Sequence, residues 1–242
     1  PVSSHLSMLT EPPDFIAIFP KQLRGLLETS DGIRILKETK SILVGGATIS
    51  SDIEGVLKSK KISIYQSYGM TETATHVALK KSGHQAEDFY SAVKGVSFGK
   101  KDGCLVIDYP KVLAEAITTN DLVELIDTVT FKWLGRTDFI INTGGFKVSP
   151  EQLEAKLSMA LKCSCLVTGI KDNEFGERIG LIILGAVPSA GIQKEIFKKI
   201  LHPFEIPKSY VCINEFSQTS NGKIDRVKTA AKIKDSAWEN IL

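Results

Sequence analysis

Three short stretches hold residue types that could handle a phosphorylated ligand. Tyr68-Gly69-Met70-Thr71-Glu72 sets an aromatic plane, a permissive glycine, a hydroxyl and a carboxylate at the end of an apolar run. The aromatic can lie against a base and the hydroxyl can bond a phosphate oxygen. The carboxylate suits Mg2+, which takes one or two carboxylates plus substrate phosphates. By itself the pentapeptide also reads as a strand-to-loop turn with a solvated glutamate. The second stretch, Leu134 to Glu154 (LGRTDFIINTGGFKVSPEQLE), orders an arginine, a turn, a glycine pair and a helix start. Arg136 offers a planar fork for hydroxyls or phosphate, and Gly144 and Gly145 let backbone approach a substrate closely. Ser149-Pro150-Glu151 carries the cap, first-turn proline and acid of a helix N-terminus. Such an order suits a hinge beside a ligand. In the third stretch, Ser220 to Arg226 (SNGKIDR), a glycine turn presents Lys223, whose flexible ammonium can reach a distant anion. Lysines in such turns are ordinarily solvated.

Weaker signals surround these. Gly45-Gly46-Ala47 follows the apolar run SILV and precedes a helix start rich in Ser and Asp, where small residues would admit a purine; a tight βα turn needs the same residues. Thr119-Asn120-Asp121-Leu122 puts an acid at the mouth of an apolar strand, as nucleotide folds do to accept ribose hydroxyls. Of the four histidines, His5, His84 and His202 read as structural, while His76, four residues after Glu72, is a candidate for an acyl pocket. Cys104, Cys163, Cys165 and Cys212 form no CxxC pattern and read as structural thiols, Cys163 and Cys165 on one face of a strand. No GxGxxG, Walker A or GxSxG sequence occurs, which removes the usual support for dehydrogenase, P-loop and serine-hydrolase readings.

The elements that must position these residues change character along the chain. FIAIF, a helix over Lys21 to Glu28, SILVGG, a helix from about Ser50, and ISIYQSY predict a βαβαβ layer: a parallel sheet covered on both faces, with ligands at the strands' carboxyl ends. From Val93 to Phe131 short alternating segments such as CLVIDY predict antiparallel strands or a small barrel. After Asp138 the order is strand IINT, helix Pro150 to Leu161, strands SCLVTGI and GLIILGAV, helix Ile192 to Ile200, and a strand near Tyr210 to Ile213. The expected fold class is therefore α/β: a βαβ parallel layer with a small antiparallel, barrel-like part, then a small α+β C-terminal domain. A formal charge of +2, from 30 basic and 28 acidic side chains, lacks the dense basic face that nucleic acid requires. No apolar run approaches the roughly 20 residues of a membrane span, and the first residues given lack the charged-then-apolar build of a signal peptide. The expected compartment is the cytoplasm.

Taken together, SYGMTETA, the Leu134 to Glu154 stretch and SNGKIDR resemble, in content and order, the motifs of the adenylate-forming acyl-CoA synthetases. That resemblance implies ATP, Mg2+ and CoA as cofactors and a small carboxylic acid as substrate. It carries an α-phosphate contact to Thr71, a magnesium carboxylate to Glu72, and adenine contacts to Tyr68, Gly69, Gly45, Gly46 and Ala47. Asp121 and Arg136 become ribose contacts, with Asn120 standing where the family more often has glycine. Asp138 falls at the family's hinge, between residues 1–137 of a large AMP-binding domain and a mobile C-terminal domain, 138–242. Gly144, Gly145, Phe146 and Lys147 match the face that lines the pantetheine path, and Lys223 matches the adenylation lysine. Within the superfamily, SILVGGATIS, YGMTETATH and WLGRTDFIINTGGFKVSPEQLE look most like the o-succinylbenzoate-CoA ligases of menaquinone biosynthesis. Another adenylating enzyme, acting on a fatty, aryl or amino acid, and a non-catalytic nucleotide-binding fragment are the alternatives. The family's Ser/Thr/Gly-rich phosphate loop, upstream of the region matching Asp14, has no counterpart, and the chain opens with Pro1. The large domain is thus expected to be incomplete, with an open sheet edge that an upstream segment or a second chain would cover.

Overall fold

The computed structural model describes residues 11–187, 192, 194–219 and 224–241. The chain divides into two compact units, the first ending at Trp133 and the second beginning at Leu134.

In the first unit β1 (Phe15–Ile18), β2 (Ser41–Val44) and β3 (Ser63–Gly69) run parallel in that order. Helices α1 (Pro20–Leu27) and α2 (Ser30–Glu38) join β1 to β2, and α3 (Ser51–Lys60) joins β2 to β3. The sequence predicts one helix before β2; a second forms because the Thr29 hydroxyl accepts from the Gly32 amide at 3.1 Å and caps a new start. A Cβ on Gly32 would lie 2.1 Å from the Leu26 carbonyl oxygen, so only glycine lets the two helices meet so tightly. Strands laid down in sequential order with right-handed crossovers place every helix on the same side. Ile16, Ile18, Ile42, Val44 and Ile64 accordingly form one core with Leu23, Leu26, Leu36, Ile53 and Leu57. The expectation of helices on both faces is thereby corrected. Among the described residues, the opposite face shows Phe15 at 57% and Tyr65 at 37% exposure.

The same sheet continues through β4 (His76–Gly83), β5 (Tyr90–Ala92), β6 (Ser97–Lys101), β7 (Cys104–Asp108), β8 (Ile117–Asp127) and β9 (Thr130–Arg136). Its order is β1-β2-β3-β4-β5-β9-β8-β7-β6, antiparallel from β3 onward wherever the register is defined. The antiparallel strands thus extend the parallel layer as an open sheet instead of closing a barrel.

The second unit holds β10 (Ile141–Thr143), β11 (Phe146–Val148), α4 (Pro150–Leu161), β12 (Cys165–Asp172) and β13 (Gly176–Leu184). After these come α5 (Lys194–Ile200), β14 (Ser209–Ile213), α6 (Arg226–Ala231) and β15 (Glu239–Asn240). Central β13 pairs antiparallel with β12 and parallel with β14. Ile179, Leu181 and Ile183 pack one way, against Leu153 and Leu157 of α4 and Phe197 of α5, while Ile182 packs the other way with Leu166 and Val211. Cys163 does not share a strand with Cys165: α4 ends on left-handed Lys162 (φ 54), and β12 begins only at Cys165. Burial pushes the Cys165 thiol up to about 12, so it stays a neutral, small hydrophobe. No described helix is long and apolar enough to cross a membrane.

Candidate active site

At the carboxyl end of β2 the chain turns through Gly45, whose amide donates to the Ile18 carbonyl at 3.1 Å. A Cβ there would stand 2.6 Å from the Ser67 hydroxyl of β3, and one on Gly46, at φ +85, would meet the Phe19 ring at 2.8 Å. The left-handed backbone of Gly46 favours glycine, a side chain at Gly45 would displace Ser67, and Gly45, Gly46 and Ala47 lie beside the end of β3. There Gly69 meets a similar limit, since a Cβ would come 2.5 Å from the Thr75 carbonyl. A bulge between Tyr68 and Gly69 shifts the register with β4 before the last pair, Gly69 with His76, and a 3-10 turn over Thr71–Thr73 follows. Thr73 is fully buried. Its hydroxyl accepts from the Met70 amide at 3.1 Å and sits 2.8 Å from the Thr75 carbonyl. Anchored by Thr73, the turn holds Thr71 and Glu72 exposed to solvent. Sequence reasoning missed Thr73, which stands two residues from Thr71 with the same side chain.

Tyr68 is half-buried, and its hydroxyl donates to Asp121 Oδ2 at 2.6 Å, 53 residues away. Trp133 Nε1 donates to the other oxygen, Oδ1, at 3.0 Å, and Asp121 itself is 6% exposed. The Tyr68 ring is held edge-on to Phe131, centroids 5.2 Å apart, and tilted against Tyr90 at 5.6 Å. Burial, with the charge of Asp121, lifts Tyr90 to about 12 and keeps that phenol protonated. The structure thus brings Tyr68 and Asp121 into contact. Trp133, Tyr90 and Phe131 complete the cluster, and the sequence offered no signal for them beyond their being aromatic. His76 starts β4 opposite Gly69, with its Nδ1 3.2 Å from the Thr75 hydroxyl.

In the second unit, Arg136 donates through Nε (3.2 Å) and Nη2 (2.6 Å) to Asp138 Oδ2, so the expected ribose contact and hinge residue are paired to each other. Gly144 (φ +55) and Gly145 (φ +83) form the two-residue turn between β10 and β11, as a type I′ hairpin demands. That turn exposes Phe146 and Lys147. Ser149 occupies the N-cap position of α4 with Pro150 after it, but its hydroxyl makes no cap bond; it donates to the Leu134 carbonyl at 2.8 Å. The reason is Gly135, at φ +131, whose missing side chain lets Ser149 and Glu151 close over the backbone. Inside this unit Arg226 forks onto Glu154, with Nη1 to Oε1 at 2.6 Å and Nη2 to Oε2. Desolvation works against the guanidinium, but the bonds and charge of Glu154 outweigh it and hold Arg226 above its ordinary value. Lys223 lies outside the described residues.

Small residues at the carboxyl ends of parallel strands, an exposed Thr-Glu turn after β3 and a separate α+β unit point to a class of protein, and the comparisons agree. The chain belongs to the AMP-forming acyl-CoA synthetase family. It is 30% identical to an acyl-CoA synthetase (AMP-forming)/AMP-acid ligase II-like protein from Dyadobacter fermentans, over 96% of this chain and 69% of that one, with a TM-score of 0.55. Among curated relatives it is 24% identical over 237 residues to a 2-succinylbenzoate-CoA ligase of Listeria innocua, covering 88% of this chain and 50% of the relative. It is 31% identical over 149 residues to a mitochondrial malonate-CoA ligase of Homo sapiens, covering 53% and 26%. Its fold matches the O-succinylbenzoate coenzyme A synthetase of Bacillus subtilis, solved with ATP and magnesium ion, at a TM-score of 0.72 and 20% identity over 89% and 51% of the two chains. The chain spans about half the length of the curated relative named first. No protein-family model matches it.

Proposed function

We propose that this chain supplies the adenylate-handling face and the C-terminal unit of a cytoplasmic, ATP-dependent acid-CoA ligase, with o-succinylbenzoate as its acid. The observation that carries the reading is the pair of adjoining strand ends. Gly45-Gly46-Ala47 turns beside Ser67 of β3, and the Thr73-anchored turn follows the end of β3, leaving Thr71 and Glu72 exposed. Ligands gather at such strand ends. Mg2+ takes one or two carboxylates plus substrate phosphates, and the exposed Glu72 beside Thr71 fits that need without a dedicated protein cage. When bound, the ion supplies charge neutralisation on the phosphates.

The chemistry has two halves. A substrate carboxylate oxygen attacks the α-phosphorus of ATP, the bond to the bridging oxygen breaks, and acyl-adenylate and pyrophosphate result. The CoA thiol then attacks the acyl carbon, expelling AMP and losing its proton to solvent. Thr71 would donate to the α-phosphate, Tyr68 and the glycines would border adenine, and Asp121 and Arg136 would hold the ribose. The ammonium of Lys223 would stabilise charge between the carboxylate and the α-phosphate, which is electrostatic catalysis by a preplaced cation. Gly144, Gly145 and Lys147 would serve the thioester half after rotation of residues 138–242 about Asp138.

The likeness to a malonate-CoA ligase over 149 residues supports a second reading, in which the acid is a small aliphatic diacid. The test incubates the product of the complete gene with ATP, Mg2+, CoA and either o-succinylbenzoate or malonate, and identifies products by mass spectrometry. AMP, pyrophosphate and o-succinylbenzoyl-CoA are expected. A malonyl thioester alone would move the substrate to the second reading, and no thioester or adenylate with any acid would overturn ligase activity.

A further inference from the structure

The feature that no role above absorbs is the buried fork of Arg226 on Glu154. Glu154 sits in α4 and Arg226 opens α6, 72 residues later; their side chains are 13% and 19% exposed. Glu154 Oε1 also accepts the Val167 amide of β12 at 2.6 Å. The Arg226 guanidinium lies over the Phe139 ring at 5.4 Å, and its Nε is 3.9 Å from Glu151. One planar cation therefore joins α4, α6 and the 3-10 turn after Arg136, and reaches β12 through Glu154. A buried pair offsets its desolvation only with good geometry, and what a bidentate fork adds is orientation.

The chain around Arg226 is tied to the same point. The Asp225 amide donates to the Ser217 carbonyl at 2.8 Å, and Ile224 bridges to Gln218. Thr229 Oγ1 accepts from the Ser217 amide at 3.0 Å and donates to the Asp225 carbonyl at 2.7 Å. Asp225 Oδ1 accepts from the Lys228 amide at 2.9 Å and starts α6. Both flanks of residues 220–223 thus converge on one short segment, three residues past Lys223. Resting on the reading of Lys223 as the adenylation lysine, we propose that Glu154 and Arg226 are positioning residues that fix the segment Ile224 to Arg226, which directly follows Lys223 in the chain. Neither touches substrate.

The test uses the product of the complete gene with Glu154→Gln, which keeps shape and removes charge, and Arg226→Lys, which keeps charge and removes the fork. Native-state trypsin cutting after Lys223, taken as a ratio to cutting after Lys111 in the first unit, should rise about tenfold in each variant as that segment opens locally. Acid-dependent ATP-pyrophosphate exchange should fall about 100-fold, because small misplacements of a catalytic group are costly. Thioester formation from supplied acyl-adenylate should stay within about threefold of wild type. An unchanged cutting ratio, or an equal fall of both half-reactions, overturns the inference. Should Lys223→Ala leave exchange intact, the reading of Lys223 fails on its own, and the cutting ratio alone decides whether Glu154 and Arg226 hold the segment.

Discussion

The two units bury their central strands in different ways. β13 is buried on both faces from Gly180 to Ile183, between the core of α4 and α5 and a second core that includes Leu166 and Val211. β1 alternates instead: Ile16 and Ile18 are buried while Phe15 and Ala17 are exposed. Both segments read as apolar runs, so composition does not separate them. Topology does, because sequential right-handed crossovers put α1, α2 and α3 on one face of the parallel strands, whereas α4 and α6 fall on opposite faces of β13. The second unit therefore closes its own core, and the first leaves Phe15 and Tyr65 exposed on the face of its parallel strands away from the helices.

Matched truncations sharpen that contrast. Leu153→Ala, at a side chain 1% exposed in the second unit, should cost about 2–5 kcal/mol, whereas Tyr65→Ser on the open face should change stability by no more than about 0.5 kcal/mol. Urea unfolding read by fluorescence can follow each unit, since Trp133 ends one and Trp238 lies in the other. Equal losses would mean that the face is covered. Next in size, Tyr68→Phe removes a 2.6 Å bond to the buried Asp121 carboxylate and should cost about 1.5–3 kcal/mol, seen in the Trp133 transition and not in that of Trp238.

The smallest effect concerns acid. Burial raises Asp52, but bonds from Ser50 and Arg24 and the charge of Arg24 outweigh it, leaving the group below its usual range. A lowered folded value means stability that is present above the unfolded aspartate value and lost as pH falls through the folded one. The side chain is 47% exposed, so the contribution is screened and small. Between pH 5 and pH 3, Asp52→Asn should lose slightly less thermal stability than wild type; an equal loss would show that the pair with Arg24 contributes nothing.

Legibility followed the range of the interactions. α4 runs from Pro150 to Leu161 as read from the sequence, because Ser-Pro punctuation and the leucine at every fourth position (Leu153, Leu157, Leu161) are local. The strand runs SILV and GLIIL were equally plain. Three-residue β11 was not, since a hairpin strand that short has too few residues to show alternation. β4 hid behind Lys80 and Lys81, which are half-buried by their stems. The chemistry of the site was readable as motifs, but its supports were not. Thr73 looks like its neighbour Thr71, and the Tyr68–Asp121 and Glu154–Arg226 contacts span 53 and 72 residues. Side-chain identity at one position says nothing of a partner so far along the chain.

The central claim is that this fold handles an acyl-adenylate, and acid-dependent ATP-pyrophosphate exchange by the product of the complete gene tests it most directly. Exchange that requires a carboxylic acid, drops about 100-fold or more with Lys223→Ala and falls with Glu72→Gln is the expected result. Exchange absent with every acid offered, or unchanged in both variants, would contradict it.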